Sequence, residues 1–495
     1  MATVDDEKPP RPGRGMLKRF ALAGVLIAVL SAGTVASAGL LEVNELVSIV
    51  KNEGAAIPGI AGALDDVPAG RPQTILVLGS DQRYIDRKQH NPVRSDTMLL
   101  IRLDPSKEAT AVLSIPRDLK VSIPGHGTDK INAAYAVGGP KLSVQTVRRL
   151  LGIKINHVVN IDFRGFRRAV DRLGCVYVDV DRDYYNDNNP PAGGGPDYAT
   201  IDVNPGYQKL CGQDALDYVR YRHFDDDLVR AARQQDFLRQ AKDQIGLSRI
   251  FNDRKTLLRI FARYTETDIR SNTAILRLLK LAFESSSHPI REVHFRGDIG
   301  PTYVTVTNAN LELTKNEFLN AQASVGPRPV ARASGKARRR ERKSKGLPRG
   351  IVVDKVAAEN FVAQASIRTR FPLYYPAVRL ARGAYQYGKP RVYRIRDRGG
   401  HRYRAYRIVV SAGLQGQFYG VQGTSWKSPP ILDDPSQNLR MRRRTYQLFY
   451  DGTRLRLVAW RTSKAVYWVA NTLSETLTNQ QMLAIARSLK RVGSK

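Results

Sequence analysis

The sequence predicts an α/β fold: a central mixed sheet with helices on its faces, followed by a smaller α+β unit. Three observations carry that expectation. Between residues 73 and 325, short apolar runs closed by Gly, Pro or Asp alternate with stretches of helical spacing. Residues 20–41 form one uncharged apolar span ahead of that region. Residues 326–350 hold almost no large apolar side chain and many basic ones, so they read as an extended linker between two units.

Taken in order, residues 1–19 form a basic arm with Lys8, Arg11, Arg14, Lys18 and Arg19 among Pro and Gly. Phe20 to Leu41 follows without a charge. At about 1.5 Å per residue it is long enough to cross a hydrocarbon core of about 30 Å. Basic residues before the span, with Glu42 and Glu45 after it, place the N-terminus in the cytoplasm and the rest outside. Ala36-Ser37-Ala38 also fits the small-residue rule for signal cleavage. The span exceeds a usual signal core, which favours an uncleaved single-pass anchor.

Residues 42–72 read as a short helix and a Gly/Ala/Pro spacer. Thr74 to Ser80 is a buried strand feeding a polar loop, Asp81 to Ser95. Thr97–Leu103 and Ala109–Ile115 form a hairpin through the turn Asp104–Lys107, and Pro116-Arg117-Asp118 ends it. Lys130 to Tyr135 begins a helix that Gly138-Gly139-Pro140 stops, and Leu142–Leu151 is the next helix. A strand at His157–Ile161, a helix at Phe163–Leu173 and a strand at Cys175–Val180 follow, with residues 183–197 as an exposed loop. Helical patterns fill 228–285, and Arg291–Arg296 and Tyr303–Val306 return to strand. The second unit, 351–495, has strands at Arg391–Arg396, Tyr403–Ser411, Thr445–Tyr450 and Ala465–Ala470, then a helix at Gln481–Leu489. Asp451-Gly452 is its hairpin signal.

The net charge of +33 draws polyanions: nucleic acid, an acidic membrane face or acidic wall polymers. With an anchor upstream, the basic linker is not read as a nucleic-acid patch. Cys175 and Cys211 are too few for a metal cluster. They are one disulfide if the chain is exported, or two buried thiols if it is not.

The densest chemistry lies between Tyr218 and Gln235. Tyr218, Val219 and Tyr221 are β-formers, and a strand there sends Arg220 and Arg222 to one face. Asp225, Asp226 and Asp227 are able to cap a helix on which Arg230, Arg233 and Gln234 share a face. Four converging guanidinium groups call for an anion between them, and their planar forks suit phosphate oxygens. A solvated Arg/Asp network is the plainer alternative. Other polar residues stand where strands end: Asp81, Arg94, Asp96, Arg117, Asp118 and Lys130. Asp81 and Asp96 suit a hard cation such as Mg2+, which binds through carboxylates and phosphate oxygens.

In sequence order these segments read Gly79-Ser-Asp-x-Arg83, Arg94-Ser-Asp-Thr97, Ser114-Ile-Pro-Arg-Asp118, Lys130-Ile-Asn-Ala-Ala-Tyr135, Tyr218-Val-Arg-Tyr-Arg-His223 and Arg230-x-x-Arg-Gln-Gln235. Together they resemble the motifs of the LytR-CpsA-Psr family over roughly residues 70–325. The resemblance implies α/β/α layers and an apolar groove for a lipid tail, with the helices at 142–151 and 236–261 as candidates for it. It implies a membrane-anchored phosphotransferase of the outer cell surface that moves a glycopolymer from polyprenyl diphosphate to peptidoglycan. Asp81 and Asp96 would hold Mg2+, while Arg94, Arg117, Arg220, Arg222, Arg230 and Gln234 would grip the diphosphate. Arg83 and Lys130 would support that site, Asp118 would orient Arg117, and Arg233 and Asp225 would assist. Asp81, Arg94, Asp96, Arg117, Arg220 and Arg222 are thus the expected catalytic set. In an exported chain Cys175 and Cys211 would pair. Two rivals stay open, a polyprenyl diphosphate phosphatase and a non-catalytic, polymer-binding regulator. Outside the resemblance, Trp426, Trp460, Trp468, Tyr385, Tyr387 and Tyr419 are candidates for wall-glycan contact or for core.

Overall fold

The computed structural model describes residues 45, 48–68, 70–80, 95–187, 199–221, 225, 227–246, 249, 252–285, 288–322, 346–363, 365, 369–441 and 444–493. The expected anchor at 20–41 and most of the linker lie outside these residues. Among the described residues no helix is long and apolar enough to cross a membrane.

The first unit opens with β1 (Ala55–Ala56), β2 (Gln73–Ser80), β3 (Ser95–Leu103) and β4 (Thr110–Ser114). A hairpin, β5 (Lys120–Ile123) with β6 (Gly127–Lys130), leads into α1 (Ala133–Leu151). β7 (His157–Asp162), α2 (Phe163–Arg172) and β8 (Val176–Val180) follow. Next come β9 (Tyr184–Asn186), β10 (Ile201–Val203), β11 (Gly206–Leu210), α3 (Gly212–Arg220) and α4 (Asp227–Gln244). The unit ends with α5 (Arg254–Tyr264), β12 (Thr265–Thr267), α6 (Asn272–Glu284) and β13 (Ile290–Val293). A small pair, β14 (Asp298–Ile299) and β15 (Val304–Thr305), precedes α7 (Asn308–Leu319).

Seven strands make one mixed sheet in the order β1-β12-β7-β2-β3-β4-β13. β1 with β12, β7 with β2 and β4 with β13 run parallel; the other neighbours are antiparallel. Alternation along β2 sorts its side chains between two cores. Leu76 and Leu78 enter the cluster that includes Val144 and Val147 of α1 and Phe318 of α7. Ile75 and Val77 face the cluster with Leu258 and Phe261 of α5 and Ile275 of α6. Helices therefore cover both faces, as the resemblance implies.

Three local expectations are corrected. Residues 212–220 are helix α3, so Tyr218 and Val219 do not begin a strand and Arg220 and Arg222 do not share a strand face. Gly212 N donates to Asp171 Oδ1 at 2.7 Å, and Ala215, Leu216 and Tyr218 are buried. That apolar face overrides the β propensity of two residues. Lys130 ends strand β6 and does not open a helix; α1 starts at Ala133. Gly138-Gly139-Pro140 kinks α1 without ending it, with Gly139 at φ 60° and ψ −155° and the helix resuming to Leu151. Leu142, Val144, Val147 and Leu151 are core, and so is Phe237 of α4.

The second unit adds β16 (Ile351–Val353), α8 (Lys355–Ala363), β17 (Tyr374–Pro376) and β18 (Val378–Leu380). β19 (Arg391–Arg396), β20 (Arg402–Ser411), β21 (Phe418–Thr424), β22 (Gln437–Met441), β23 (Arg444–Asp451), β24 (Arg454–Arg461) and β25 (Val466–Ala470) form an antiparallel sheet. α9 (Asn479–Ser488) and β26 (Leu489–Arg491) close the chain. Asp451 pairs with Arg454 across the expected hairpin. β21 is a strand that Gly420 and Gly423 hide from a propensity reading; a Cβ at Gly423 would lie 2.2 Å from the Tyr406 ring. Trp460, Trp468 and Tyr419 are 1%, 0% and 0% exposed, so they are core side chains and not sugar platforms. Trp468 joins Tyr177 and Tyr207 of the first unit in one cluster, and Arg407 binds the buried Asp179 carboxylate at 2.9 Å.

Cys175 and Cys211 are disulfide-bonded, tying the start of β8 to the start of α3 across 36 residues. Closing a loop of that length contributes about 2–4 kcal/mol. Cys211→Ser, or reduction of the natural chain, should lower the urea midpoint accordingly; an unchanged midpoint would show that the bond leaves the unfolded chain unconstrained.

Candidate active site at the strand ends

β2 and β3 pair in register from Gln73–Leu103 to Gly79–Thr97, then shift so that Ser80 faces Ser95. Asp96 is the extra residue of that bulge. Bulges re-aim side chains, and here one sits beside the residue that Asp81 follows in the chain. Gly79 permits the close approach, since a Cβ there would lie 3.0 Å from Thr97 Cβ. Ser95 Oγ donates to Gly79 O at 3.2 Å and holds the irregular pair together.

Gln234 of α4 ties three elements to this corner. Its Nε2 donates to Thr97 Oγ1 at 3.1 Å and to Val219 O at 3.2 Å, and its Oε1 accepts from Ser114 Oγ at 3.5 Å. The beginning of β3, the end of β4 and the end of α3 are thereby brought to one helix. Arg230 lies one turn earlier on α4 and is 5% exposed.

Beyond Ser114, Pro116-Arg117-Asp118 turns outward. Ile131 N donates to Leu119 O at 2.8 Å and Asn132 N to Arg117 O at 3.2 Å, so the segment after β6 lies along this turn. Lys130 Nζ consequently meets Asp118 Oδ1 at 2.9 Å, and Arg117 Nε stands 3.6 Å from Asp118 Oδ2. Partial burial would raise the Asp118 pKa, but the Lys130 hydrogen bond and the charges of Arg117, Lys130 and Arg230 prevail and hold it below the ordinary value. Lys130 and Arg117 thus flank one carboxylate just beyond β4, with the charge of Arg230 within electrostatic reach.

Arg220, at the end of α3, donates through Nε and Nη2 to Asp217 Oδ1 at 3.0 and 2.6 Å and stands over the Phe163 ring. Arg233 does not join the exposed set. It is fully buried, bound to Asp225, and its Nη2 donates to Tyr221 O at 2.6 Å. Asp225 also binds Arg182, whose guanidinium lies over the Tyr184 and Tyr221 rings. The chain is therefore gripped at 221 and at 225, on either side of Arg222.

Of the expected residues, Arg117, Lys130, Arg220, Arg230 and Gln234 are described; Asp118 relates Arg117, Lys130 and Arg230, and Gln234 ties Val219, the residue before Arg220, to the helix that carries Arg230. Asp81, Arg83, Arg94 and Arg222 lie outside the described residues, and Asp96 is described only as part of β3. The sequence reading passed over Ser114, Thr97, Asp217 and Arg182 as functional supports. Ser114 and Thr97 lay within quoted motifs; Arg182 stood beside no motif and had no local signal.

Guanidinium and ammonium groups thus gather near strand ends of an α/β sheet, an arrangement able to hold a multiply charged anion. The chain belongs to the LytR_cpsA_psr family, whose profile matches residues 48–322. It is 31% identical over 254 residues to a polyisoprenyl-teichoic acid–peptidoglycan teichoic acid transferase, TagU, of Oceanobacillus iheyensis, covering 49% of this chain and 74% of that protein. It is 30% identical over 243 residues to the corresponding transferase TagT of Bacillus subtilis, covering 48% and 73%. The crystal structure of B. subtilis TagT matches with a TM-score of 0.39 at 26% identity, over 54% of this chain and 98% of that one.

Two outcomes follow from the buried charges. Asp225→Ala strands two guanidinium groups, both little exposed, and should cost about 3–5 kcal/mol in urea denaturation. A loss below about 1 kcal/mol would mean the clamp is dispensable. Because the Asp118 pKa is depressed in the fold, its contribution is present above the unfolded value of about 4 and fades as pH falls through the lower folded value. Asp118→Asn should remove that part of the acid dependence; parallel stability–pH curves below about pH 4 would contradict it.

Proposed function

We propose that the protein is an extracytoplasmic phosphotransferase that moves a glycopolymer from a polyprenyl diphosphate carrier to a hydroxyl of peptidoglycan. The observation that carries this reading is the convergence of Arg117, Lys130 and Arg230 on the β4 end, beside the β2–β3 bulge. Family membership and two relatives named as teichoic acid transferases support it.

Arg117, Arg230 and Arg220 bind the diphosphate oxygens as planar donors, with Lys130 as a point charge and Gln234 as a neutral donor. Arg83, Arg94 and Arg222 are further candidates for the same oxygens by their motif positions alone. The wall hydroxyl attacks the phosphorus nearer the polymer. A new phosphorus–oxygen bond to the wall forms, the bridging bond breaks, and polyprenyl phosphate leaves with the electron pair. The hydroxyl proton is lost to solvent. The guanidinium groups are fixed before the reaction, so stabilising charge on the bridging and equatorial oxygens requires little reorganisation.

Asp81 and Asp96 are the residues that would hold Mg2+. Asp96 is the bulge residue of β3 and Asp81 follows β2 in the chain; carboxylate oxygens are the donors a hard cation takes beside phosphate. When bound, such an ion would neutralise charge building on the diphosphate. We further propose that residues 20–41 anchor the chain in the cell membrane with the catalytic unit on the wall side. A disulfide in the first unit supports an oxidising exterior.

The test incubates the purified chain with labelled lipid diphosphate–glycopolymer, Mg2+ and peptidoglycan. Label should reach the wall, and Arg230→Ala and Arg220→Ala should each slow transfer by about 10²–10³-fold. Label released with water as acceptor would replace transfer by hydrolysis, and absence of turnover would leave a binding protein. Chelation by EDTA should abolish transfer and Mg2+ restore it; full activity in EDTA would remove the metal from the scheme.

A further inference from the structure

Where the two units meet, a cleft of about 1020 Å³ runs beside α4. One wall carries Gln235 of α4 and His294, which follows β13; the other carries Gln417, Asp451 and Thr453 of the second unit. Neither unit encloses it alone.

The walls hold an unusual set of unmet polar atoms. Gln235 is 1% exposed; its Nε2 donates to Val293 O at 3.0 Å, while its Oε1 has no hydrogen-bond partner. Gln417 is 6% exposed; its Nε2 donates to Ser474 Oγ at 3.0 Å, while its Oε1 likewise has none. His294 Nε2 is buried without a hydrogen-bond partner as well, and so is Asp451 Oδ2, which stands 3.8 Å from Arg239 Nη1. Burial lowers the His294 pKa, favouring a neutral ring that can leave one nitrogen as acceptor. Three of these four atoms only accept, and each unmet buried acceptor costs roughly 1–3 kcal/mol. A ligand that recovers this must bring donors, and a chain of hydroxyl groups does so, with Arg291, Arg296 and Arg454 in the same lining able to face any phosphate between them. The cleft also borders the site: Gln235 adjoins Gln234, and a helix is about 10 Å across with its side chains.

We propose that this interunit cleft binds a hydroxyl-rich polymer segment, saccharide or polyol, and that the second unit is attached to the catalytic unit to complete it. The proposal rests on the diphosphate reading of the neighbouring site, because a segment lying there is one that reacts at it. It is either the glycopolymer leaving the diphosphate or the wall glycan approaching it. Both present the same hydroxyl chemistry.

Titrating the full-length protein with three separate probes decides the matter: lipid-free poly(glycerol phosphate), lipid-free peptidoglycan glycan strands, and geranylgeranyl diphosphate. At least one of the first two should bind. Thr453→Trp, which adds bulk at an exposed position of the wall, and Gln417→Leu should each weaken that binding by about tenfold or more, an effect of about 1.4 kcal/mol. Geranylgeranyl diphosphate should bind both variants as it binds the natural chain. Binding of the polyol phosphate assigns the cleft to the donor polymer, and binding of the glycan strand assigns it to the acceptor. If neither hydroxyl-rich probe binds, or if both variants bind it unchanged, the inference is overturned. Geranylgeranyl diphosphate binding in that event leaves the diphosphate reading standing; its failure as well brings that reading down separately.

Discussion

Guanidinium groups brought together repel one another, and in this protein buried or half-buried carboxylates hold them in place. Asp225 binds Arg182 and Arg233, Asp217 binds Arg220, and Asp118 stands among Arg117, Lys130 and Arg230. These roles differ by burial. The Asp225 group is closed off from solvent and fixes Tyr221 through Arg233. Asp118, Arg117 and Lys130 stay partly exposed, while Arg230 is buried behind them. A buried pair broken at one side leaves an uncompensated charge, whereas an exposed pair exchanges partners at small cost. The division suits a site with a fixed frame and an exchangeable inner lining.

The second unit is part of that frame. A Cβ at Gly416 would lie 3.1 Å from Val229 and 3.3 Å from Asp225, so this loop is pressed against the start of α4. Phe418 packs under Arg182, and Trp468 donates to Asp179 at 2.9 Å from across the junction. The junction also concentrates carboxylates. Burial pushes the Glu292 pKa up to about 8 despite Arg239, with Asp451 and Asp236 adding to the rise, and burial with Asp451 and Glu292 raises Glu475 too. Arg239 binds Glu292 and Asp236, and Arg291 binds Asp451. These contacts join the two units along α4.

How far the site could be read from sequence depended on whether a residue's role was local. Arg117, Asp118 and Lys130 stood in short motifs at strand ends, and their meeting follows from backbone contacts between Leu119 and Ile131. Gln234 was recognisable as part of a helix face, but its three partners come from residues 97, 114 and 219. The strand expected at 218–222 failed because β propensity in Tyr218 and Val219 was weighed without the buried face of Ala215, Leu216 and Tyr218. Arg182 was invisible because nothing near it in the chain says that Asp225 will be opposite.

By itself, the sequence determined the alternation of strands and helices, the family motifs and their order, and a strongly positive charge balance. Period and composition are local or additive, so they survive in a linear string. Only the tertiary structure decided that Arg233 is a buried clamp while Arg230 lies beside Asp118, three residues apart on the same helix. It also decided that the tryptophans Trp460 and Trp468 are core, and that a second unit walls a cleft beside α4. Those outcomes depend on which distant segments remove water from a side chain, and burial, unlike periodicity, is a property of the packed whole.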